Sequence, residues 1–225
     1  MVKVACCWDD GVTTDIRLIE ILRKYNAKAT FNLCPGLAPQ DTVASQWVSC
    51  TEPGRGFRPG KVGLKDYPAV YGDFQVASHC WTHKNAGVVP DEEFMKDALD
   101  ARKYLEDVFQ RECTGFAWPC GRHTPVTEKL MAEAGFSYGR TTTYSDHVAP
   151  GDNPMALDSS CHFLAGDFHS RYLKAREENG IFYFWGHSYE IMDYDKLWAY
   201  VEEKFKVFAD DPEVEWVDVV DIVKK

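Results

Sequence analysis

The sequence predicts a single α/β domain whose mostly parallel sheet is either open or closed into a barrel. Apolar runs typical of buried strands alternate along the chain with segments whose apolar residues recur at helical spacing. The 225 residues are 45% hydrophobic, which is enough for one sizeable core. No internal repeat, low-complexity tract or linker divides the chain, so we expect one domain over residues 1–225.

The first elements form a predicted βαβ unit followed by an insertion. VKVACCW (2–8) is apolar enough for a buried strand, and the apolar residues of 14–26 have helical spacing. A second strand, KATFNLC (28–34), follows after a connection that suits parallel pairing. Residues 35–72 are rich in proline and glycine and show no sustained period, so they predict a long insertion with short elements of its own.

The middle of the chain continues the alternation. FQVAS (74–78) and TGFAWP (114–119) are predicted strands, and 91–109 between them is a strongly amphipathic helix. Thr124 and Pro125 then supply an N-cap and a first-turn proline for the next helix.

The last part of the chain is less regular. Residues 136–165 predict two short strands around a loop, and a helix around 168–178 leads to the very apolar strand IFYFWG (181–186). A helix over 195–209 follows, and the chain ends in a short strand and a turn or helix.

Charge and cysteine usage argue against several classes of protein. The net charge of −10 at pH 7 disfavours nucleic acid or an anionic membrane as the main partner. No apolar run is long enough for a transmembrane helix, and Asp9 and Asp10 interrupt any signal-peptide core. The eight cysteines form no C-x-x-C pair, so we expect reduced thiols, no structural zinc site built from cysteine, and a cytoplasmic location.

Asp9 and Asp10 stand side by side where the first strand ends, directly before Gly11. Asp-Gly is a common turn dipeptide, so a polar turn explains these residues on their own. Two adjacent anions near a low-dielectric core repel each other, however, and a nearby cation or a proton awaiting transfer relieves that repulsion. Residues elsewhere in the chain are needed to choose between a polar turn and a functional pair of carboxylates.

His79 and His83 follow the predicted strand at 74–78. Their spacing would place both imidazoles on one face of a helical turn, which is a common arrangement of zinc ligands. With seven histidines in the chain, a pair at this spacing also arises by accident, so the pair alone is a moderate signal.

Two more polar groups follow predicted strands. Trp118-Pro119-Cys120-Gly121 (118–121) ends one strand, and His187 comes directly after the strand 181–186. The carboxyl ends of parallel strands lie on one rim of a sheet or barrel, where ligands bind. We therefore expect these groups to converge with the two aspartates and the two histidines.

The residue types suit hydrolysis assisted by a divalent ion. Two imidazoles and one carboxylate make a three-ligand site with an open position. The second aspartate is then free to act as a base towards water. A backbone N–H at the Pro-Cys-Gly turn would share a developing oxyanion, and His187 would be a general acid for the leaving group.

These residues resemble the polysaccharide deacetylases with a NodB-homology domain, the family-4 type of carbohydrate esterase. The family's Thr-Phe-Asp-Asp-Gly motif corresponds to CWDDG (7–11), its His-Ser/Thr-x-x-His motif to HCWTH (79–83), and its late Leu-x-His motif to FWGH (184–187). The resemblance runs from about residue 2 to the C-terminus. It implies a distorted (β/α) barrel and metal-dependent removal of acetyl groups from N- or O-acetylated sugars.

The resemblance implies roles for individual residues. Asp9 would be the base and His187 the acid. The ligands of the divalent ion would be Asp10, His79 and His83. The expected ion is Zn²⁺, with Co²⁺ or Ni²⁺ as alternatives. The backbone N–H of Cys120, beside Gly121, would serve the oxyanion of the substrate.

The third motif departs from the family pattern. The family has Arg-x-Pro-Tyr/Phe-Gly, whereas AWPCG (117–121) has Ala117 at the arginine position. In the family that arginine pairs with the base. Arg122 or Arg140 would have to replace it in this chain.

The fourth family motif, an Asp-Trp that supports the acid histidine, has no clear match. Asp158 and His162 in LDSSCHF are weak candidates for that role. The stretch GHSYE (186–190) looks like a variant of one subgroup, in which Glu190 would orient His187.

Several tryptophans flank the predicted site residues. Sugars stack on aromatic faces, so Trp81, Trp118 and Trp185 are candidates for substrate binding. Trp8 alternates with Asp9 along an extended strand, so its side chain should point away from the site and into the core.

The sequence therefore predicts a cytoplasmic, metal-dependent hydrolase of an acetylated carbohydrate, with N-acetyl favoured and O-acetyl open. A cytoplasmic location favours a small sugar, a nucleotide-linked sugar or an oligosaccharide as the substrate. The insertion, which contains Arg55, Arg58 and Lys61, would cap the site. Two alternatives stay open. One is hydrolysis of another non-peptide C–N bond, and the other is a non-catalytic, metal-containing carbohydrate-binding protein, which the missing arginine favours.

Overall fold

The computed structural model describes residues 1–48, 56–149 and 153–224. Its strands are β1 (Val2–Asp9), β2 (Thr30–Leu33), β3 (Gln46–Trp47), β4 (Phe57–Arg58), β5 (Gln75–Ser78), β6 (Gly115–Ala117), β7 (Tyr138–Tyr144), β8 (Leu157–Ser159), β9 (Cys161–His162), β10 (Ile181–Gly186) and β11 (Val214–Trp216). Its α-helices are α1 (Thr14–Lys24), α2 (Tyr67–Tyr71), α3 (Asp91–Phe109), α4 (Pro125–Glu133), α5 (Phe168–Glu177), α6 (Asp195–Asp210) and α7 (Val219–Val223).

The main sheet is parallel and curls into a barrel. Its hydrogen-bonded order is β8-β7-β6-β5-β2-β1-β10-β9, with β11 added beside β1. The strands β8 and β9 belong to one short segment, of which the first part pairs with β7 and the second part with β10. This segment joins the two ends of the order, so the predicted distorted (β/α) barrel is confirmed.

The first strand shows how the sequence distributes side chains across the barrel wall. Successive side chains of a strand point to opposite faces. Trp8 lies in the outer core between sheet and helices, with its ring centroid 4.9 Å from that of Phe163. Ala5 and Cys7 belong to the second core cluster, inside the barrel. Asp9 continues this inward series, so the prediction that Trp8 points away from Asp9 is confirmed.

The amino end of the barrel is covered by α7. Val219 and Ile222 of this helix join the inner core cluster. The backbone N–H groups of Val219 and Val220 donate to the side chains of Thr30 and Gln75, which begin β2 and β5. The polar residues that follow the strands lie at the opposite, carboxyl end of the barrel.

The segment 35–72, predicted as an insertion, contains the β3–β4 hairpin and α2. Its Ser45 hydroxyl lies within hydrogen-bond distance of the Thr13 hydroxyl, at 2.9 Å. The Lys61 ammonium donates to the backbone carbonyl of Asp10 over 2.7 Å. The segment therefore borders the rim of the barrel beside the loop that follows β1.

The cysteines of the described residues are unpaired, and Cys120 alone among them is exposed. Cys50 and Arg55 lie outside the described residues. Within the described ranges, no helix combines the length and the apolar character that a membrane crossing requires.

Candidate active site

A cavity of about 280 Å³ opens at the carboxyl ends of the barrel strands. The residues that line it are Asp9, Asp10, His79, His83, Trp118, Cys120, Arg140, Thr142, Trp185, His187 and Tyr189. A larger cavity of about 860 Å³ lies at the other end of the barrel, beside α7, and includes none of these residues. The structure thus brings together most of the polar groups that follow the strands, and their roles stay predictions.

Asp9 is buried in the barrel and held from both sides. The Nη2 of Arg140 donates to its Oδ2, and the side-chain amide of Asn32 donates to its Oδ1 over 2.7 Å. Burial alone would raise the pKa of Asp9, but the Arg140 guanidinium and the nearby imidazoles lower it below its ordinary value. The carboxylate is therefore ionised at neutral pH, as a base must be.

Arg140 lies beside Ala117, the position at which the family motif has an arginine. In the pairing of β6 with β7, Arg140 is the direct partner of Ala117. Its guanidinium also lies over the Trp185 ring, 4.6 Å from the ring centroid. Arg122, the other sequence candidate, does not line the cavity. The ion pair with Asp9 thus comes from the neighbouring strand.

Asp10 leaves the strand direction that Asp9 follows. Its φ of +84° is in the left-handed region, which separates the two neighbouring carboxylates. Its N–H donates to the carbonyl of Asn32 over 3.0 Å, and its Oδ1 lies 4.0 Å from Nε2 of His79. One carboxylate is therefore buried against Arg140 while the other faces the cavity and the histidine.

His79 presents one free ring nitrogen to the cavity. Its Nδ1 lies 2.8 Å from the Ala117 carbonyl, so Nδ1 carries the hydrogen and Nε2 is free to accept. Burial lowers the pKa of His79 to about 4, although Asp9 and Asp10 counteract it. A neutral imidazole with its second nitrogen held by a carbonyl is the usual form of a metal-binding histidine.

The helical turn expected at His79 and His83 is wrong. The two residues lie in a loop after β5, with φ values of +64° at Cys80 and +60° at His83. Asp97 of α3 holds this loop by accepting the N–H and the hydroxyl of Thr82, at 2.8 and 2.9 Å. The imidazoles still meet, because their ring centroids are 4.7 Å apart.

The donor atoms of Asp10 and His79 are compatible with one divalent ion, whereas His83 is not part of the group of ligand atoms that lie within 4.8 Å of one another. Two ligands that each lie about 2.1 Å from the same ion are at most about 4.2 Å apart. The 4.0 Å between His79 Nε2 and Asp10 Oδ1 is within this limit. The Sγ of Cys34 also lies within 4.8 Å of ligand atoms of both residues. No motif in the sequence predicted a role for Cys34.

His187 enters the cavity from the end of β10. Its Nε2 lies 3.9 Å from Oδ2 of Asp9, and its Nδ1 lies 3.3 Å from Oε2 of Glu190. The same Oε2 accepts the backbone N–H of His187 over 3.1 Å. Burial would lower the pKa of His187, but Glu190 and Asp9 raise it above its ordinary value.

Glu190 lies between His187 and His162, and the sequence left the supporting partner of His187 open. His162 Nε2 lies 2.9 Å from Oε2 of Glu190, and the N–H of Leu164 donates to its Nδ1 over 3.2 Å. The hydrogen of a neutral His162 is therefore on Nε2, facing the carboxylate. Asp158, the other candidate, accepts the hydroxyl of Thr141 instead.

The turn after β6 offers one backbone donor to the cavity. The N–H of Gly121 donates to the Trp118 carbonyl over 2.8 Å, so it serves the turn itself. A Cβ at Gly121 would lie 2.2 Å from the Thr142 hydroxyl, so only glycine fits there. The N–H of Cys120 has no backbone partner among the described residues. Of the two predicted substrate-binding residues of this turn, Cys120 is the available donor.

The three candidate tryptophans differ in position. Trp185 is half-buried at the cavity. Trp118 also lines it, but it is fully buried, and its indole N–H donates to the Met155 carbonyl over 2.8 Å. Trp81 lies outside the cavity, with its ring centroid 5.5 Å from that of Tyr104. The structure therefore does not bring Trp81 together with the other site residues, and its contact with substrate stays a prediction.

Several residues in or beside the cavity were not predicted from the sequence. Asn32 at the end of β2 and Cys34 directly after it contact Asp9 and His79 from behind the cavity lining, and the strand-end rule that identified Asp9 would also have found them. Tyr189 and Thr142 line the cavity through the segments after β10 and within β7. No local pattern distinguishes these two.

The chain matches the family model described as "Polysaccharide deacetylase" over residues 2–139. No match was found among curated proteins.

Solved structures share the fold. A deacetylase from Streptococcus pyogenes, PplD in complex with acetate, is 21% identical, with a TM-score of 0.54. The match covers 68% of this chain and 61% of the PplD chain. A Mycobacterium smegmatis protein named as a candidate polysaccharide deacetylase has a TM-score of 0.66 at 17% identity, with 99% and 90% of the two chains covered. A family 4 acetyl xylan esterase from Clostridium thermocellum, in complex with a cobalt ion, has a TM-score of 0.57 at 13% identity, with 98% and 89% covered.

Proposed function

The chain belongs to the polysaccharide deacetylase family, and from this membership we propose that it is a metal-dependent hydrolase that deacetylates an N-acetylated sugar or oligosaccharide. The observation that carries the proposal is the pair Asp9 and His187. Asp9 is kept ionised by Arg140, the pKa of His187 is raised beside Glu190, and Oδ2 of Asp9 is 3.9 Å from Nε2 of His187. A base and an acid thus share one cavity.

The residues that would hold the divalent ion are Asp10, His79 and His83. Imidazole and carboxylate ligands suit Zn²⁺, and Co²⁺ or Ni²⁺ are accepted by the same ligand types. When bound there, the ion would polarise the acetyl carbonyl and make water easier to deprotonate.

The protein groups divide the proton transfers between them. Asp9 would accept the proton of the attacking water through its carboxylate. The N–H of Cys120 would donate to the acetyl oxygen as negative charge develops on it. His187 would give the proton on Nε2 to the amine nitrogen as the C–N bond breaks. The products are acetate and the free amino sugar.

The acid and the cavity size support the choice of substrate. An amine leaves an acyl carbon readily only when it is protonated, so a general acid such as His187 at the cavity suits an N-acetyl group. The cavity of about 280 Å³ is near the lower end of ligand pockets, about 300–1,000 Å³. This size favours one sugar unit or a chain end, with Trp185 beside it. The cytoplasmic location stays a prediction.

The test is acetate release from a panel of N- and O-acetylated mono- and oligosaccharides. The protein is assayed with added Zn²⁺, with a chelator, and as the Asp9→Asn variant. We expect release that stops with the chelator and falls by about 10²–10⁴-fold in Asp9→Asn. Asp158→Asn is the matched control, since this carboxylate belongs to the barrel but does not line the cavity.

Failure of the whole panel would overturn deacetylation. Release of ammonia or another amine from non-acetyl amides would then indicate hydrolysis of a different C–N bond. Arg140 weakens the non-catalytic alternative, because that alternative drew its support from the alanine at 117. A sugar that binds equally well to wild type and Asp9→Asn without turnover would restore it.

A further inference from the structure

We propose that Cys34 is a ligand of the metal ion, so that its thiolate joins Asp10 and His79 in a mixed carboxylate, imidazole and thiolate site. This inference rests on the proposed metal site and adds to it a ligand that the family motifs do not contain. Binding of the metal by Cys34 can be measured without knowing the substrate.

The strand order places Cys34 between the two residues that it would join. In the sheet, β2 lies between β1 and β5. The N–H of Asp10 donates to the carbonyl of Asn32 and the N–H of His79 donates to that of Leu33, each over 3.0 Å. Cys34 is the first residue after β2, so the ends of three adjacent strands supply three donors. Their ligand atoms all lie within 4.8 Å of one another.

The contacts of Cys34 hold its sulfur at this position. The side chain is 1% exposed, and its S–H donates to the backbone carbonyl of His79 over 2.9 Å, a hydrogen bond that a bond from sulfur to the metal would replace. Cys6 and Cys161, by comparison, belong to the outer apolar core. Cys120 lines the same cavity but is not part of the donor group. Among the described cysteines, Cys34 alone has its sulfur within 4.8 Å of ligand atoms of both Asp10 and His79.

The charges around the site are balanced by this assignment. A Cys34 thiolate and the Asp10 carboxylate together match the two positive charges of a divalent ion. Asp9 and Arg140 already form a neutral pair beside them. On binding, the S–H bond breaks, the proton leaves to solvent, and the sulfur lone pair forms the bond to the metal, with no change in oxidation state.

The ligand set has a consequence for metal choice. Thiolate is a soft ligand that favours Zn²⁺ and Co²⁺, whereas Mg²⁺ and Ca²⁺ prefer oxygen donors. We therefore expect the protein to bind Zn²⁺ and Co²⁺ and to be occupied poorly by Mg²⁺ at the same concentration.

The experiment is spectroscopic and does not depend on turnover. Co²⁺ is added to the metal-free full chain, and the near-ultraviolet sulfur-to-cobalt charge-transfer band is recorded. We expect this band in the wild type and its loss in Cys34→Ser and Cys34→Ala. The matched controls, Cys120→Ser and Cys80→Ser, should keep it. X-ray absorption of the zinc-loaded wild type should show sulfur at about 2.3 Å from the metal.

The outcomes separate this inference from the proposed function. Stoichiometric Co²⁺ without the band in the wild type, or a band that persists in Cys34→Ser, overturns the assignment of Cys34. If neither Cys34 variant folds, zinc without a sulfur neighbour in the wild-type X-ray absorption spectrum overturns it equally. A band that depends on Cys34 supports the assignment even if no acetylated sugar is hydrolysed, in which case only the proposed function fails.

Discussion

Arg140 of β7 donates to Oδ2 of Asp9 of β1 across the interior of the barrel, and both side chains are buried. The two residues are 131 positions apart in the sequence. Arg140 is the register partner of Ala117, the position at which the family resemblance leads one to expect an arginine. The guanidinium comes from one strand further along the barrel, so Asp9, the proposed base, still has a cation beside it.

This ion pair predicts a coupled effect on stability. Arg140→Met should lower the free energy of unfolding by about 3–5 kcal/mol, because it leaves the Asp9 charge buried without a partner. The double variant Arg140→Met/Asp9→Asn should recover most of the loss, since it removes that charge as well. Urea denaturation of the metal-free proteins measures all three. A double variant no more stable than Arg140→Met would contradict the prediction.

Glu190 is expected to control the alkaline limb of activity. As the proposed acid, His187 would work only while protonated, so activity should be lost as the pH rises through its pKa. Glu190 helps to raise that pKa above the ordinary value. Glu190→Gln should therefore move the alkaline limb of kcat/KM for acetate release to lower pH. Glu178→Gln, which alters an exposed carboxylate paired with His147, is the control. An unmoved limb in Glu190→Gln would count against the role of Glu190.

Asp15 predicts a pH dependence of stability that is separate from catalysis. This buried carboxyl accepts the hydroxyls of Tyr71 and Ser188, and burial raises its pKa to about 7. With an unfolded pKa of about 3.9, it contributes stability at low pH that is lost as the pH rises from about 4 to 7, up to about 4 kcal/mol. Asp15→Asn, which resembles the protonated form, should flatten this slope in urea denaturation series, whereas Asp195→Asn at an exposed carboxylate should not. An equal slope in wild type and Asp15→Asn would refute the assignment.

Cys120 is expected to act through its backbone and not through its thiol. Cys120→Gly keeps the N–H and suits the φ of +53°, so acetate release should stay within a few-fold of wild type. A bulky maleimide should inactivate the wild type, because this thiol is exposed at the cavity, and should spare Cys120→Gly. A hundredfold loss of kcat/KM in the unlabelled glycine variant would show that the thiol itself is needed.

The sequence by itself determined the local elements and the groups at their ends. Helix α3 spans Asp91–Phe109 and strand β10 spans Ile181–Gly186, as the periodicity predicts. Thr124 caps α4 by accepting the N–H of Thr127 over 3.1 Å. These features depend on side chains a few residues apart, whose spacing and turn chemistry can be read along the chain. The same reading predicted that Asp9, Asp10 and His187 would meet, since parallel strands end on one rim.

Only the tertiary structure decided which distant residues touch. The choice of Arg140 over Arg122 follows from the register of β6 and β7, and the contact of His162 with Glu190 follows from the pairing of β9 with β10. The place of Cys34 between Asp10 and His79 follows from the strand order. Order, register and the direction of a side chain in space depend on packing of the whole barrel, and no local pattern carries that information.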